Sequence, residues 1–141
     1  MESRHETIPS MISRFVWLCV AGAAGTLARV ALSAWIQRSH STPAPLGTAV
    51  VNVLGCTLFG LAVTTFEGPL FSAASEEQLS EWRLVVLSGF MGGFTTFSAY
   101  AFETLRLLER GHSVLAFANL GLQNALGLAG LWAGLQLGRT S

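Results

Sequence analysis

The sequence predicts an all-α integral membrane protein with four transmembrane helices, the third of them broken near Gly92–Thr96. Three observations carry this. The 141 residues are 51% hydrophobic and only 11% charged, whereas soluble domains carry about 25% charged residues. Too few polar side chains remain to cover a water-facing surface. Four stretches are long and apolar enough, in helix, to cross a hydrocarbon core about 30 Å thick. None alternates as a membrane β-barrel strand does. Charge excludes two further classes. Eight Arg balance eight Glu, with no Lys and no Asp. Zero net charge argues against a nucleic-acid partner, which goes with a basic excess, and the hydrophobicity argues against disorder.

The elements follow in order within one domain, residues 1–141. Span one covers about residues 15–36 and is interrupted only by Arg29. It is too long for the apolar core of a signal peptide. The Ser/Pro-rich loop 39–45 ends it. Span two, about 46–66, is uncharged. In the longest connection, 67–82, Ser75-Glu76-Glu77-Gln78 reads as a capping box. A short interfacial helix over 76–82 is expected to lead into span three, about 84–102. Arg110-Gly111-His112 is a tight turn before span four, about 113–137. The polar ends, 1–10 and 139–141, are expected to be loose. Cys19 and Cys56 lie in apolar runs without Cys or His partners, and read as small buried apolar residues.

Orientation in the membrane follows arginine bias in short loops. With four spans, Arg4, Arg14, Arg83 and Arg139 fall on one side, and Arg29, Arg38, Arg106 and Arg110 on the other. The tally is even. It favours a chain that inserts both ways and pairs as an antiparallel homodimer over one with a single orientation.

Polar side chains in hydrocarbon mark function by default. Thr48 and Asn52 are four apart and share a helical face in span two; Asn119 and Gln123 repeat that spacing in span four. Both pairs offer uncharged donors. Interhelical bonding accounts for one pair at about 0.6 kcal/mol per contact. Two pairs on separate helices favour a path for a hydrogen-bond acceptor, an anion. No carboxylate lies centrally in a span, and Glu103 sits at the end of span three beside Arg106. In span three, Gly92 and Gly93 precede Thr95 and Thr96. Gly disfavours helix interiors, and Thr is a good N-cap. A second half-helix is therefore expected to start at the threonines, and half-helix ends at membrane depth are an ion-binding device. Gly89 and Gly93 also fit a packing face, as do Gly130, Gly134 and Gly138 in span four. Phe94, Phe97, Tyr100 and Phe102 cluster at the break. Their positive ring edges suit an anion, although such a stripe also suits a core. Arg29 reads as snorkelling to the interface, anchoring broken backbone, or attracting anions. No catalytic motif is present, so no enzyme is expected.

With these residues in place, the chain resembles the Fluc (CrcB) family of fluoride channels over about residues 15–138. The resemblance rests on three pieces in order: Gly22-Ala-Ala-Gly25 with Arg29; Gly47-Thr48 through Asn52 to Gly55; and Gly89-Phe-Met-Gly92-Gly-Phe-Thr95-Thr96-Phe97-Ser98. It implies a passive fluoride-selective channel that exports fluoride and lowers its cytoplasmic concentration. It also implies a dual-topology homodimer with two antiparallel pores in membrane lipid, and a structural sodium ion at the dimer interface. By position, the sodium contacts are the carbonyls of Gly92 and Thr95. Thr48 and Asn52 are pore donors, with Ser98, Asn119 and Gln123 in the same pore group, and Arg29 is structural. Phe97 matches the first of two paired phenylalanines, and Tyr100 departs from the second. A multi-pass protein of the bacterial inner membrane is expected. A conducting path needs entry without trapping, which suits uncharged donors. The rival readings are a small four-span proton-coupled multidrug exporter, which needs an embedded carboxylate, and a non-transporting assembly subunit, which would use the glycines alone.

Overall fold

The computed structural model describes residues 8–40 and 42–140. Arg4, His5 and most of the two polar ends lie outside that range. The order is α1 (Ile8–Ser39), α2 (Leu46–Glu67), a single turn at Pro69–Phe71, α3 (residues 76–94), α4 (Phe97–Glu109) and α5 (Ser113–Arg139). Within α3, Glu76–Arg83 is ordinary α-helix, Leu84–Met91 is the wider π-helix, and Gly92–Phe94 returns to α. Four segments are long and apolar enough to cross a membrane: Met11–Ser39, Leu46–Glu67, Glu76–Glu109 and Ser113–Arg139. The described residues contain no strand.

Local chemistry explains the ends. Gln78 N–H donates to Ser75 Oγ at 3.2 Å, and Ser75 N–H to Gln78 Oε1 at 3.0 Å, so the expected capping box forms. Gly111 has φ +78, which glycine adopts without strain, and it turns the chain between α4 and α5. Arg14 Nε lies 2.7 Å from Glu81 Oε1 and ties the start of α1 to the start of α3 at one end of the molecule. The third span differs from its expected bounds. It begins at the capping box and runs on to Glu109, so Glu103 lies a turn and a half inside it.

Glycines set the helix spacing. On the α2–α5 face, a Cβ on Gly134 would run into the Thr57 carbonyl, and one on Gly130 would sit 2.5 Å from Thr57 Oγ1. On the α1–α3 face, a Cβ on Gly25 would run into the Phe90 carbonyl, and one on Gly93 would lie 2.5 Å from Gly22 O. Lipid tails are as apolar as leucine, so close backbone approach, rather than apolar burial, holds such helices together. The outer surface accordingly stays apolar: Leu27, Trp35 and Val114 are exposed. Cys19 is exposed on that surface, and Cys56 is half-buried. The expectation that both are buried fails for Cys19, because in a membrane an apolar run does not separate inside from outside.

Candidate functional site

The break falls at Thr95 and Thr96. Both are extended, with φ −92 and ψ 159 at Thr95, and φ −151 and ψ 115 at Thr96. The glycine pair before them remains helical; Gly93 packs against α1, while Gly92 faces open space. α4 starts afresh at Thr96, whose Oγ1 accepts from Ala99 N–H at 3.2 Å. In hydrocarbon the freed backbone groups must be satisfied by protein or water, and named side chains satisfy several of them.

Asn52 on α2 clamps the break from both sides. Its Oδ1 accepts from Thr96 N–H at 2.9 Å, and its Nδ2 donates to Thr96 O at 3.1 Å. The second N–H of the same amide donates to Gln123 Oε1 at 3.0 Å. In an unbroken helix, the N–H of Thr96 and of Ala99 would bond to the carbonyls of Gly92 and Thr95. Both N–H groups are diverted, so those two carbonyls lose their helical donors. Arg29 Nε donates to Gly93 O at 3.1 Å, which selects the backbone-anchor reading of this half-buried residue over snorkelling. A hydrogen bond from a charged donor contributes about 1.5–3 kcal/mol. Arg29→Met is therefore expected to lower the thermal unfolding midpoint, read by circular dichroism in detergent, while Arg38→Met at the helix end leaves it unchanged. Equal midpoints for the two would remove Arg29 from the break.

A cavity of about 240 Å³ opens beside the break, lined by Asn52, Cys56, Thr95, Thr96, Phe97, Tyr100, Gln123 and Asn124. It unites amides and aromatic rings without a carboxylate. Phe97 and Tyr100 face each other with centroids 5.5 Å apart and a tilt of 57°. Tyr100 is buried, and its hydroxyl accepts from Asn124 Nδ2 at 2.8 Å; Phe97 is 78% exposed and projects off the chain.

The other expected donors lie elsewhere. Asn119 is buried and turns away from the cavity, accepting from Gln123 Nε2 at 2.7 Å and donating to Thr104 Oγ1 at 2.7 Å. Ser98 is exposed, 3.2 Å from Thr96 Oγ1. Thr48 Oγ1 donates to Glu103 Oε1 at 2.7 Å. They line a second cavity of about 310 Å³ together with Arg29, Ser33, Gln37 and Thr96. Glu103 thus departs from its expected place beside Arg106. It points inward with Oε2 buried and without a hydrogen-bond partner, while Arg106 pairs outward with Glu109 at 3.3 Å. Glu103, Thr104 and Asn124 were given no place in the site from the sequence, and Glu103 was read only beside Arg106. A signal for the first two was there: Thr96, Tyr100, Glu103 and Thr104 fall at i, i+4, i+7 and i+8, one helical face.

A multi-pass membrane protein whose third helix breaks at mid-span, with the break held by an asparagine and an arginine, belongs among proteins that handle ions through half-helix ends. Comparison with known proteins narrows the class. The family model described as CrcB-like protein, Camphor Resistance (CrcB), matches residues 16–135. A fluoride-specific ion channel FluC of Solidesulfovibrio magneticus is 47% identical over 131 residues, 92% of this chain and 98% of the relative. One from Desulforapulum autotrophicum is 43% identical over 92% of this chain and 98% of its own. One from Pseudomonas fluorescens is 37% identical over 90% and 98%. The chain belongs to the CrcB family.

Proposed function

We propose that the protein is a passive, fluoride-selective channel that lets fluoride leave the cell. One observation carries the reading most: the amides of Asn52 and Gln123 meet two aromatic rings in a single cavity at the broken helix. Fluoride is a small, strongly hydrated hydrogen-bond acceptor. Amide N–H groups and positive ring edges can replace its water without a fixed charge that would trap it. Asn52, Gln123, Phe97 and Tyr100 are the proposed contacts. Thr48, Ser98 and Asn119 are assigned to the approaches and supports of that path rather than to the cavity itself. The curated relatives named above carry the same activity in their names.

The pore is proposed to be completed by a second copy in the opposite orientation, which gives two antiparallel pores per homodimer. Two features support that assembly: the even arginine tally and the exposure of Phe97, an aromatic beside the cavity that its own chain leaves uncovered. The same interface is where the family resemblance expects a structural sodium ion. The residues fit one. Hard cations take oxygen ligands, the carbonyls of Gly92 and Thr95 have lost their helical donors, and the space beside Gly92 is open, with no atom within 4 Å of where a Cβ would be. When bound, such an ion would neutralise the dipoles of those carbonyls. This chain's residues hold the carbonyls in place: Asn52 clamps Thr96 and Arg29 holds Gly93.

Purified protein in liposomes loaded with fluoride or chloride tests the function. Rapid passive fluoride loss with chloride retained is expected at an ion electrode. Flux that needs a proton gradient would favour an exporter, and no flux would favour an assembly subunit. The inward Glu103 removes the sequence-based argument against a proton-coupled exporter; membership in the CrcB family speaks against it instead.

A further inference from the structure

The buried amides beside the cavity form one directed chain. Asn52 Nδ2 donates to Gln123 Oε1, Gln123 Nε2 to Asn119 Oδ1, Asn119 Nδ2 to Thr104 Oγ1, and Thr104 Oγ1 to Tyr100 O, at 3.0, 2.7, 2.7 and 2.7 Å. Its direction is set at one end. Thr96 N–H can only donate, so Asn52 must turn its oxygen there and its NH2 toward Gln123. Gln123 must then present its oxygen to Asn52.

In this arrangement every N–H of Asn52 is taken, and Gln123 Oε1 occupies the acceptor position that an anion would need. Asn52 cannot release Thr96 without losing both of its own bonds to the break. Gln123 is the mobile partner. If its amide turned over alone, its oxygen would face Asn119 Oδ1, acceptor against acceptor, in a buried site where an unpaired polar group is costly. If Asn119 turns with it, the conflict disappears. Asn119 Nδ2 then donates to Gln123 Oε1, and the Thr104 hydroxyl, which can donate or accept, rotates to donate to Asn119 Oδ1. Asn119 and Thr104 are satisfied again and Gln123 keeps its oxygen paired, with the chain reversed. Gln123 Nε2 and Asn52 Nδ2 now converge from two helices on one point in the cavity, with nothing between them to accept.

We propose that Gln123, Asn119 and Thr104 form a reversible amide relay: in the resting sense Gln123 stands in for the anion at Asn52, and fluoride entry reverses the relay to present a second donor. Gln123 touches the anion. Asn119 and Thr104 are positioning residues that act through it. This rests on the channel reading. It adds that the donor set is made by the arriving ion and that the empty path is closed by the protein's own amide. Two-sense chains of this kind shift only by the differential affinity of the ligand for the two senses. Chloride, a larger and weaker acceptor, gains less from the same turn.

Side-chain amide resonances of the full chain, labelled with 15N at Asn and Gln, test the relay in a sodium fluoride titration with sodium chloride as control. Asn52, Gln123 and Asn119 are expected to move together with one midpoint in fluoride and to stay put in chloride. A stationary Asn119 would overturn the relay, because Asn119 does not line the cavity and moves only if the reversal propagates. A stationary Gln123 would overturn it as well. In Gln123→Met, which neither donates nor accepts there, the midpoint seen at Asn52 is expected to weaken about tenfold, the scale of one lost hydrogen bond to a charged group. An unchanged or tighter midpoint means that Gln123 only obstructs, and overturns the proposal. Liposome flux separates the two readings: wild type without fluoride flux sinks the channel, whereas flux with a silent Asn119 sinks the relay alone.

Discussion

Replacing Asn52 by alanine is expected to lower fluoride efflux from liposomes by about tenfold to a hundredfold. The estimate follows from losing one hydrogen bond to a charged ligand, about 1.5–3 kcal/mol, with every 1.4 kcal/mol worth about tenfold. The loss has two sources. Asn52 supplies the N–H proposed to meet the anion, and it holds both backbone groups of Thr96 at the break. Size-exclusion chromatography and helix content by circular dichroism, run alongside, keep the result interpretable. The helices on either side of the break are held by glycine contacts that Asn52 does not make, so the assembly is expected to survive. Efflux at the wild-type rate would remove Asn52 from the path. An unfolded protein would mean that the clamp matters to the fold before it matters to the ion.

The second large effect concerns stability. Gly25→Ala is expected to lower the thermal unfolding midpoint sharply. The added methyl would run into the Phe90 carbonyl, with Phe94 N only 3.0 Å away. Backbone cannot step aside as a flexible side chain can, and overpacking costs typically about 1–3 kcal/mol. The site also lies opposite the π-helical stretch Leu84–Met91, so a forced separation of α1 from α3 would carry Gly93 away from Arg29. Gly121→Ala is the matched control. Nothing lies within 4 Å of its Cβ position, and alanine is favoured over glycine in helix interiors by about 1 kcal/mol. The two alanines are therefore expected to act with opposite sign in one melting experiment. Two equal shifts would mean that helix propensity, rather than the α1–α3 approach, governs stability here.

Much of the architecture was legible in the residues. The four apolar stretches, the capping box at Ser75–Gln78 and a restart of the helix at the threonines all reappear. The break was placed across Gly92–Thr96, and the structure narrows it to Thr95 and Thr96. Both glycines stay helical, and Gly93 packs against α1, which no local propensity registers. Of the expected site residues, Asn52, Gln123, Phe97, Tyr100 and Thr95 meet in one cavity, while Thr48, Ser98 and Asn119 do not line it. Glu103 was read by its nearest charge in sequence, Arg106. The rotation of α4 sent it instead to Thr48.

The order of residues alone carries what the bilayer demands locally: four spans, because each backbone must bond within its own helix, and a break where two threonines can cap a new start. Those are properties of contiguous residues. Which side chains would face one another was left to the tertiary structure, because lipid and protein interior are equally apolar and hydropathy does not say how each helix is turned. Glycine-to-backbone contacts at Gly25 and Gly134 set that rotation. Only then do Asn52, Gln123 and Asn119 line up donor to acceptor.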